Sequence, residues 1–265
     1  MDTTKLIEKA KRLRYLILVS TTKAASGHPT SCLSAVELVT FLRFGGNWQE
    51  SDRMIFSKGH AAPLLYALLV EVGSITQEEL MTLRQFGSRV QGHPMPGMPE
   101  IEVATGSLGQ GLSIGVGMAL ADKKFLKNKN QHYVLLGDGE LAEGSVWEAC
   151  NLASYYKLDN LTAIVDLNRL EQDGETSLGW NLDLYEARFK AFGWQVELVK
   201  NGHDFDEIKK AFLTKSIKKP KVILAKTIKG KGVSFLENQD NWHGKALTEI
   251  EFKQALAELK IVDQT

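Results

Sequence analysis

The chain has 265 residues and balances 32 Lys and Arg against 32 Asp and Glu, for a formal net charge of zero. That balance argues against a nucleic-acid or acidic-membrane partner, and 43% hydrophobic with 24% charged residues is the make-up of an ordinary globular protein. No apolar run approaches membrane-spanning length, and Met1-Asp2-Thr3-Thr4-Lys5 opens a polar amphipathic helix instead of a signal peptide, so the expected compartment is the cytoplasm. Cys32 and Cys150 match no metal or disulfide spacing and read as packing residues. A chain of this length is expected to fold as one large domain spanning 1–265.

Residues 5–19 carry apolar side chains at helical spacing, and 34–43 and 61–72 read as two further helices entered from Gly- and His-bearing loops. Between 86 and 101 the chain is rich in Gly, Pro and Met without a period, which predicts a long loop of the kind that usually serves function. A helix over 107–127 contains Gly109, Gly111, Gly115 and Gly117, a density that points to a close backbone or ligand contact. Short buried strands are predicted at 133–136 and 161–166, on either side of a helix at 145–157. Strands at 194–199 and 222–226 flank a helix near 204–216, and 247–260 is helical. The alternation predicts an α/β fold, a doubly wound and mostly parallel sheet with helices on both faces. Nine lysines and no acidic residue fall between Lys209 and Lys231. They read chiefly as a solvated face, with Lys226, Lys229 and Lys231 as the ones placed to meet a phosphate.

Ligands of such sheets bind beyond the carboxyl ends of the strands. Gly137-Asp138-Gly139 leaves one strand end and leads into a helix, so the hairpin reading of Asp-Gly fails there. An Asp between glycines can present its carboxylate to a cation while the backbone approaches closely. Asp166-Leu167-Asn168-Arg169-Leu170 leaves the next strand and offers an amide oxygen and loop carbonyls. One carboxylate, one amide oxygen and one carbonyl suit a Mg²⁺ that completes its shell with water and phosphate.

Gly137-Asp138-Gly139 followed at thirty residues by Asn168 resembles the thiamine-diphosphate motif shared by transketolases, 2-oxo acid dehydrogenases and decarboxylases. The resemblance implies a thiamine-diphosphate-binding fold with Mg²⁺ (or Ca²⁺ or Mn²⁺), in which Asp138 and Asn168 are side-chain ligands of the metal and Leu170 supplies its carbonyl. Four loops narrow the family. Ser26-Gly27-His28-Pro29, Lys58-Gly59-His60, Gly92-His93-Pro94 and Trp242-His243-Gly244-Lys245 are similar to those of the transketolase branch, in the same order, over about residues 15 to 245. By that resemblance His28, His93 and His243, with Ser31, face the substrate and the cofactor's reactive carbon. Lys58, His60, Gly106, Ser107, Leu108, Gly137, Asp138, Gly139, Glu143, Asn168 and Lys229 surround the cofactor. Glu143 and Glu148 match acidic residues lying between two active sites, and equally suit a helix N-terminus. His132 and His203 read as structural.

Full-length members of the resembled family continue into a pyrimidine-binding domain, which supplies the glutamate that activates the cofactor, and a further C-terminal domain. The chain is therefore expected to be the first subunit of a split transketolase, active only with a separately encoded C-terminal partner in an α2β2 assembly. Helical residues 247–260 finish cleanly, so the end at Thr265 is expected to be a natural terminus. The implied reaction moves a two-carbon ketol unit from a ketose phosphate to an aldose phosphate, as in the pentose phosphate pathway. An alternative is a split enzyme for an unusual sugar, sulfonated or branched. The α chain of a 2-oxo acid dehydrogenase lacks the Ser-Gly-His-Pro and Trp-His-Gly-Lys loops, and the synthase of deoxyxylulose phosphate normally comes as one chain. No Gly-x-Gly-x-x-Gly follows the first strand, which disfavours a nicotinamide cofactor. A non-catalytic relative would not need to retain Asp138, Asn168 and all four loop histidines.

Overall fold

The structure is a computed structural model that describes residues 2–46, 48–98 and 100–261. Strands β1 (Arg53–Phe56), β2 (His132–Gly137), β3 (Leu161–Leu167), β4 (Gln195–Val199) and β5 (Lys221–Lys226) form one sheet in the order β1-β2-β3-β5-β4, every pair parallel. Parallel strands need crossovers, and these are helical here. The helices are α1 (Thr3–Lys23), α2 (Pro29–Leu33), α3 (Val36–Phe44), α4 (Ala62–Glu71), α5 (Gln77–Leu80), α6 (Gln110–Leu120), α7 (Gly144–Tyr155), α8 (Leu182–Ala191), α9 (Phe205–Leu213) and α10 (Glu249–Glu258). Among the described residues no helix is long and apolar enough to cross a membrane.

Alternation along the strands sorts the interior into two cores. Phe56, Tyr133, Leu135, Ile164 and Ile223 face a core shared with α1 to α5, α9 and α10. Ile55, Val134, Leu136, Ala163, Val165, Val222 and Leu224 face a second core, built with α6, α7 and α8. Because both faces are covered, β2 and β3 are apolar at nearly every position. Cys32 and Cys150 are buried and free, one in each core.

The predicted strands and helices are present with ends shifted by a few residues, and β1, α8 and the short helices α2 and α5 go beyond the sequence reading. β1 is only four residues long and opens with Arg53, so its apolar run, Met54-Ile55-Phe56, is too short to reveal it. In α8 only Tyr185 and Phe189 are buried, too thin a stripe for a periodicity argument. The helix expected over 107–127 begins at Gln110 and continues in a π-helical turn, Ala121–Leu126. Its glycines differ in their surroundings: a Cβ at Gly115 would stand 2.6 Å from Val134 Cγ2, one at Gly111 would run into Ser57 Oγ and one at Gly109 would stand 2.6 Å from Glu143 Cβ, whereas one at Gly117 would meet nothing within 4 Å.

That contrast sets a test. Gly115→Val is expected to destabilise the chain by about 1–3 kcal/mol through overpacking, while Gly117→Ala should stabilise it by about 0.5–1 kcal/mol. Urea unfolding of the two variants measures both signs.

Candidate active site

The carboxyl ends of β1, β2, β3 and β5 lie in one row, because Phe56 pairs with Leu135, Gly137 with Asp166, and Leu167 with Lys226. The residues just beyond these ends are Lys58, Asp138, Asn168 and Lys229. A cleft of about 220 Å³ opens above the row. Of the residues anticipated from sequence, Ser31, Lys58, His60, Leu108, Gly137, Asp138, Gly139, Asn168, Leu170 and His243 line it.

The floor is organised by Asp166, which is wholly buried. Its Oδ2 accepts from Lys58 Nζ at 2.5 Å, Ser34 Oγ at 2.5 Å and Asn168 Nδ2 at 3.2 Å, and its Oδ1 accepts from Thr227 Oγ1. Burial alone would raise this carboxyl; the ammonium of Lys58 and the hydroxyl donors hold it below the ordinary carboxylate value. Lys58, 1% exposed, spends its remaining reach on the carbonyl of Ser31 at 3.0 Å.

Asp138 has no such cation. Its carboxylate accepts from the backbone N–H of Arg169 at 2.5 Å and of Gly139 at 3.1 Å, with Thr176 Oγ1 at 3.4 Å. Arg169 sits at φ 65°, in the left-handed region, and this turn aims its N–H at Asp138. Burial and the charge of Asp166 push the Asp138 carboxyl up to about 7 despite those donors. Asn168 donates to Asp166 and Ser34 while its Oδ1 accepts from Leu170 N at 3.1 Å, which fixes the orientation of the amide.

Lys229 enters from the end of β5. Its Nζ donates to the carbonyls of Leu170 at 3.2 Å and Glu171 at 3.1 Å and meets His243 Nδ1 at 3.0 Å. Burial, then the charge of Lys58, lowers its pKa to about 8. Of the nine-lysine run, Lys229 bonds to three residues that line the cleft, whereas Lys226 lies 4.5 Å from the centre of the Trp180 ring and Lys231 pairs with Glu237 at 3.1 Å. Neither Lys226 nor Lys231 lines the cleft.

The rings of His28, His60 and His243 cluster at 5.0–5.7 Å between centroids. Burial is the chief cause that lowers all three, and neighbouring cationic groups add to it; His28 and His243 fall to about 4. His28 Nδ1 is buried without a hydrogen-bond partner. His93 stands at the rim, exposed, with its ring over Gly106: a Cβ there would come within 3.1 Å of the imidazole, and φ of +145° further favours glycine. Ser107 is exposed beside Gln110. Glu143, just before α7, and Glu148, on it, are exposed and do not line the cleft.

Sequence reasoning passed over Glu140, Glu171 and Gln172, which line the cleft. Glu140 is buried and accepts from Gly109 N at 2.8 Å, Gly137 N at 3.2 Å and Ser57 Oγ, so one carboxylate ties the ends of β1 and β2 to the start of α6. Its place directly after Gly137-Asp138-Gly139 was the available clue. His132 and His203 are structural in the sense expected, each bonded to a carboxylate, Asp122 and Glu37 respectively.

Comparison with known proteins follows the same lines. The family described as "Transketolase, thiamine diphosphate binding domain" matches residues 6–262. The chain is 46% identical over 262 residues to human transketolase, covering 96% of this chain and 42% of that protein. It is 40% identical to a Phocaeicola vulgatus protein named as one subunit of an apulose-4-phosphate transketolase, covering 98% of this chain and 94% of that one. The crystal structure of transketolase from Campylobacter jejuni superposes with a TM-score of 0.92 at 36% identity, over all of this chain and 44% of that one. The chain thus spans less than half the length of the human and Campylobacter relatives.

Two outcomes are expected from this geometry. Asp166→Asn leaves Lys58 charged and unpaired in the interior and should cost about 3–5 kcal/mol in urea unfolding, with Lys58→Met in the same chain recovering about half or more. The histidines give a pH signature. Their folded pKa values of about 4 lie below the ordinary 6.5, so the unfolded chain takes up protons first. Their contribution to stability is full above pH 6.5 and is lost as pH falls towards 4. A His28→Asn, His243→Asn chain should show a flatter melting temperature than the wild type across that window.

Proposed function

The chain belongs to the family of transketolase N-terminal, thiamine-diphosphate-binding domains, and we propose that it is the diphosphate-holding subunit of a two-chain transketolase. On this reading residues 1–265 are one diphosphate-binding domain. It works in the cytoplasm with a separately encoded chain that supplies the pyrimidine-binding and C-terminal domains, in an α2β2 assembly. The observation that carries the reading is the cleft at the strand ends, lined by Asp138, Asn168 and Leu170 among others, in which Asp138 is a buried carboxylate with no cation bonded to it. The Phocaeicola relative supports the split, because the chain covers 94% of a protein whose name makes it one part of an enzyme.

The residues fit the implied metal. Asp138 is buried with its pKa driven up to about 7, a situation a bound cation would reverse. Among the described residues no three His, Cys, Asp or Glu side chains form a self-sufficient metal cage. A metal here must complete its oxygen shell from elsewhere, which is how Mg²⁺ is shared between one or two protein groups and a diphosphate. Asp138, Asn168 and Leu170 would hold it, with Lys58 and Lys229 offering positive charge to the phosphates.

Bound thiamine diphosphate would supply a nucleophilic ring carbon and an electron sink for breaking a carbon–carbon bond. The chain's residues do the rest. The cluster of His28, His60 and His243 is neutral at physiological pH, so each ring can accept a proton from a sugar hydroxyl at one nitrogen or donate one from the other. His60 and His243 line the cleft, and His28 packs against both rings. His93 at the rim meets the substrate on entry. Glu143, just before α7, and Glu148, on it, are exposed and free to lie between paired active sites.

A second reading keeps the mechanism and changes the sugar. It is favoured by the name of the Phocaeicola relative, which specifies apulose 4-phosphate.

The test assays ketol transfer from xylulose 5-phosphate to ribose 5-phosphate, with the chain alone and with its partner chain. Activity should require both chains, and Asp138→Ala should lower it about 100-fold or more. Activity on other ketoses only would select the second reading. A companion measurement needs no substrate. Because the folded pKa of Asp138 is raised from 3.8 to about 7, its contribution is present below 3.8 and becomes a growing penalty up to 7. Asp138→Asn should therefore raise the melting temperature of the metal-free chain at pH 8 and abolish any further rise on adding Mg²⁺ with thiamine diphosphate.

A further inference from the structure

Behind the cleft, on the side of the sheet where α1, α3 and α9 pack, a second polar cluster links to the active site through the backbone. Arg14 and Glu37 are 6% and 7% exposed. Arg14 Nη2 meets Glu37 Oε1 at 2.7 Å and Oε2 at 3.0 Å, and His203 Nδ1 meets Oε2 at 2.9 Å. Burial alone would raise the Glu37 carboxyl; Arg14 and His203 hold it below its ordinary value. On the other side of the imidazole, the backbone N–H of Ile228 donates to His203 Nε2 at 2.9 Å. A backbone N–H can only donate, so Nε2 must accept. The ring is therefore the Nδ1–H tautomer, donating to Glu37.

The residue after Ile228 is Lys229, whose ammonium holds the carbonyls of Leu170 and Glu171 and the ring of His243. The same cluster grips the loop on the far side of Lys229, where Arg14 Nε donates to the carbonyl of Lys231 at 3.3 Å. Arg14, Glu37 and His203 thus bracket Lys229 from both ends. They come from α1, α3 and the turn after β4, none of which lines the cleft. Only an imidazole or an amide side chain has one donor and one acceptor at the separation that Glu37 and Ile228 demand.

We propose that His203 is a positioning residue for the active site, fixing the Lys229 loop through Ile228 in a chain that runs Arg14–Glu37–His203. The carboxylate behind the ring strengthens the acceptor nitrogen, as it does for carboxylate-backed histidines at metal sites. Its bearing on the cofactor rests on the functional reading given above; the positioning of the loop does not.

A cavity of about 530 Å³ is lined by Arg14, Glu37, His203 and Lys231, among others, and reaches the imidazole from outside. It makes chemical rescue feasible. The experiment compares the full chain with His203→Ala, with and without millimolar imidazole, and with His203→Gln, by amide hydrogen exchange and by thermal shift. In His203→Ala the amides from Ile228 to Lys231 should exchange about 10-fold faster or more, with β2 and β3 unchanged. Imidazole should return the loop towards wild-type protection, and His203→Gln should keep it. Equal protection of the loop in His203→Ala and wild type overturns the proposal. So does acceleration spread evenly over β2, β3 and the loop, or an unresponsive loop when imidazole is added. In the second measurement, stabilisation by thiamine diphosphate with Mg²⁺ should shrink in His203→Ala and return with imidazole. Absence of any such shift in the wild type with its partner chain present would overturn the functional reading, leaving the exchange data to decide the role of His203.

Discussion

The ion pair between Lys58 and Asp166 is the constraint on which the rest of the site depends. Both groups are sealed from water, and neither could stay charged there without the other. Such a pair is not by itself a large source of stability, since its desolvation cost offsets most of its attraction. Its value is geometric. Asp166 gathers Lys58 from the end of β1, Ser34 from the segment after α2, Asn168 from the end of β3 and Thr227 from the end of β5. Moving any of these segments breaks a bond to a buried charge. Asp138 on β2 is then left as the carboxylate with no cation, and the negative field of Asp166 is one reason it is primed for one.

The same enclosure sets the chemistry of the histidines. Lys58 and Lys229 place positive charge beneath three imidazoles that are themselves partly desolvated, and all three are held neutral. Neutral rings can both give and take a proton, whereas imidazolium only gives. On the proposed function, phosphate recognition and proton exchange would draw on one arrangement, with cations at the floor and neutral bases above. The charge that would attract a diphosphate also keeps the bases in their useful form.

Much of this was legible in the sequence, and for identifiable reasons. β2 and β3 are buried on both faces, so they stand out as apolar runs, and the residues just after them, Asp138 and Asn168, could be placed at strand ends without coordinates. Glycine-flanked histidines marked the loops. What escaped was of a different kind. β1 is too short and too polar at its start to be read, although it delivers Lys58. The pairing of Lys58 with Asp166 joins residues 108 positions apart, and no local spacing encodes it. Glu140 and His203 were visible as residue types, but their roles lie in backbone N–H groups from other segments, which sequence patterns do not show.

The most direct test of the central claim is a crystal structure of the chain with its partner, thiamine diphosphate and Mn²⁺, with anomalous scattering used to find the metal. The account predicts one strong peak bounded by the Asp138 carboxylate, the Asn168 amide oxygen and the Leu170 carbonyl, with the diphosphate completing its shell. A cofactor bound elsewhere, or a metal that leaves Asp138 without a cation, would contradict it.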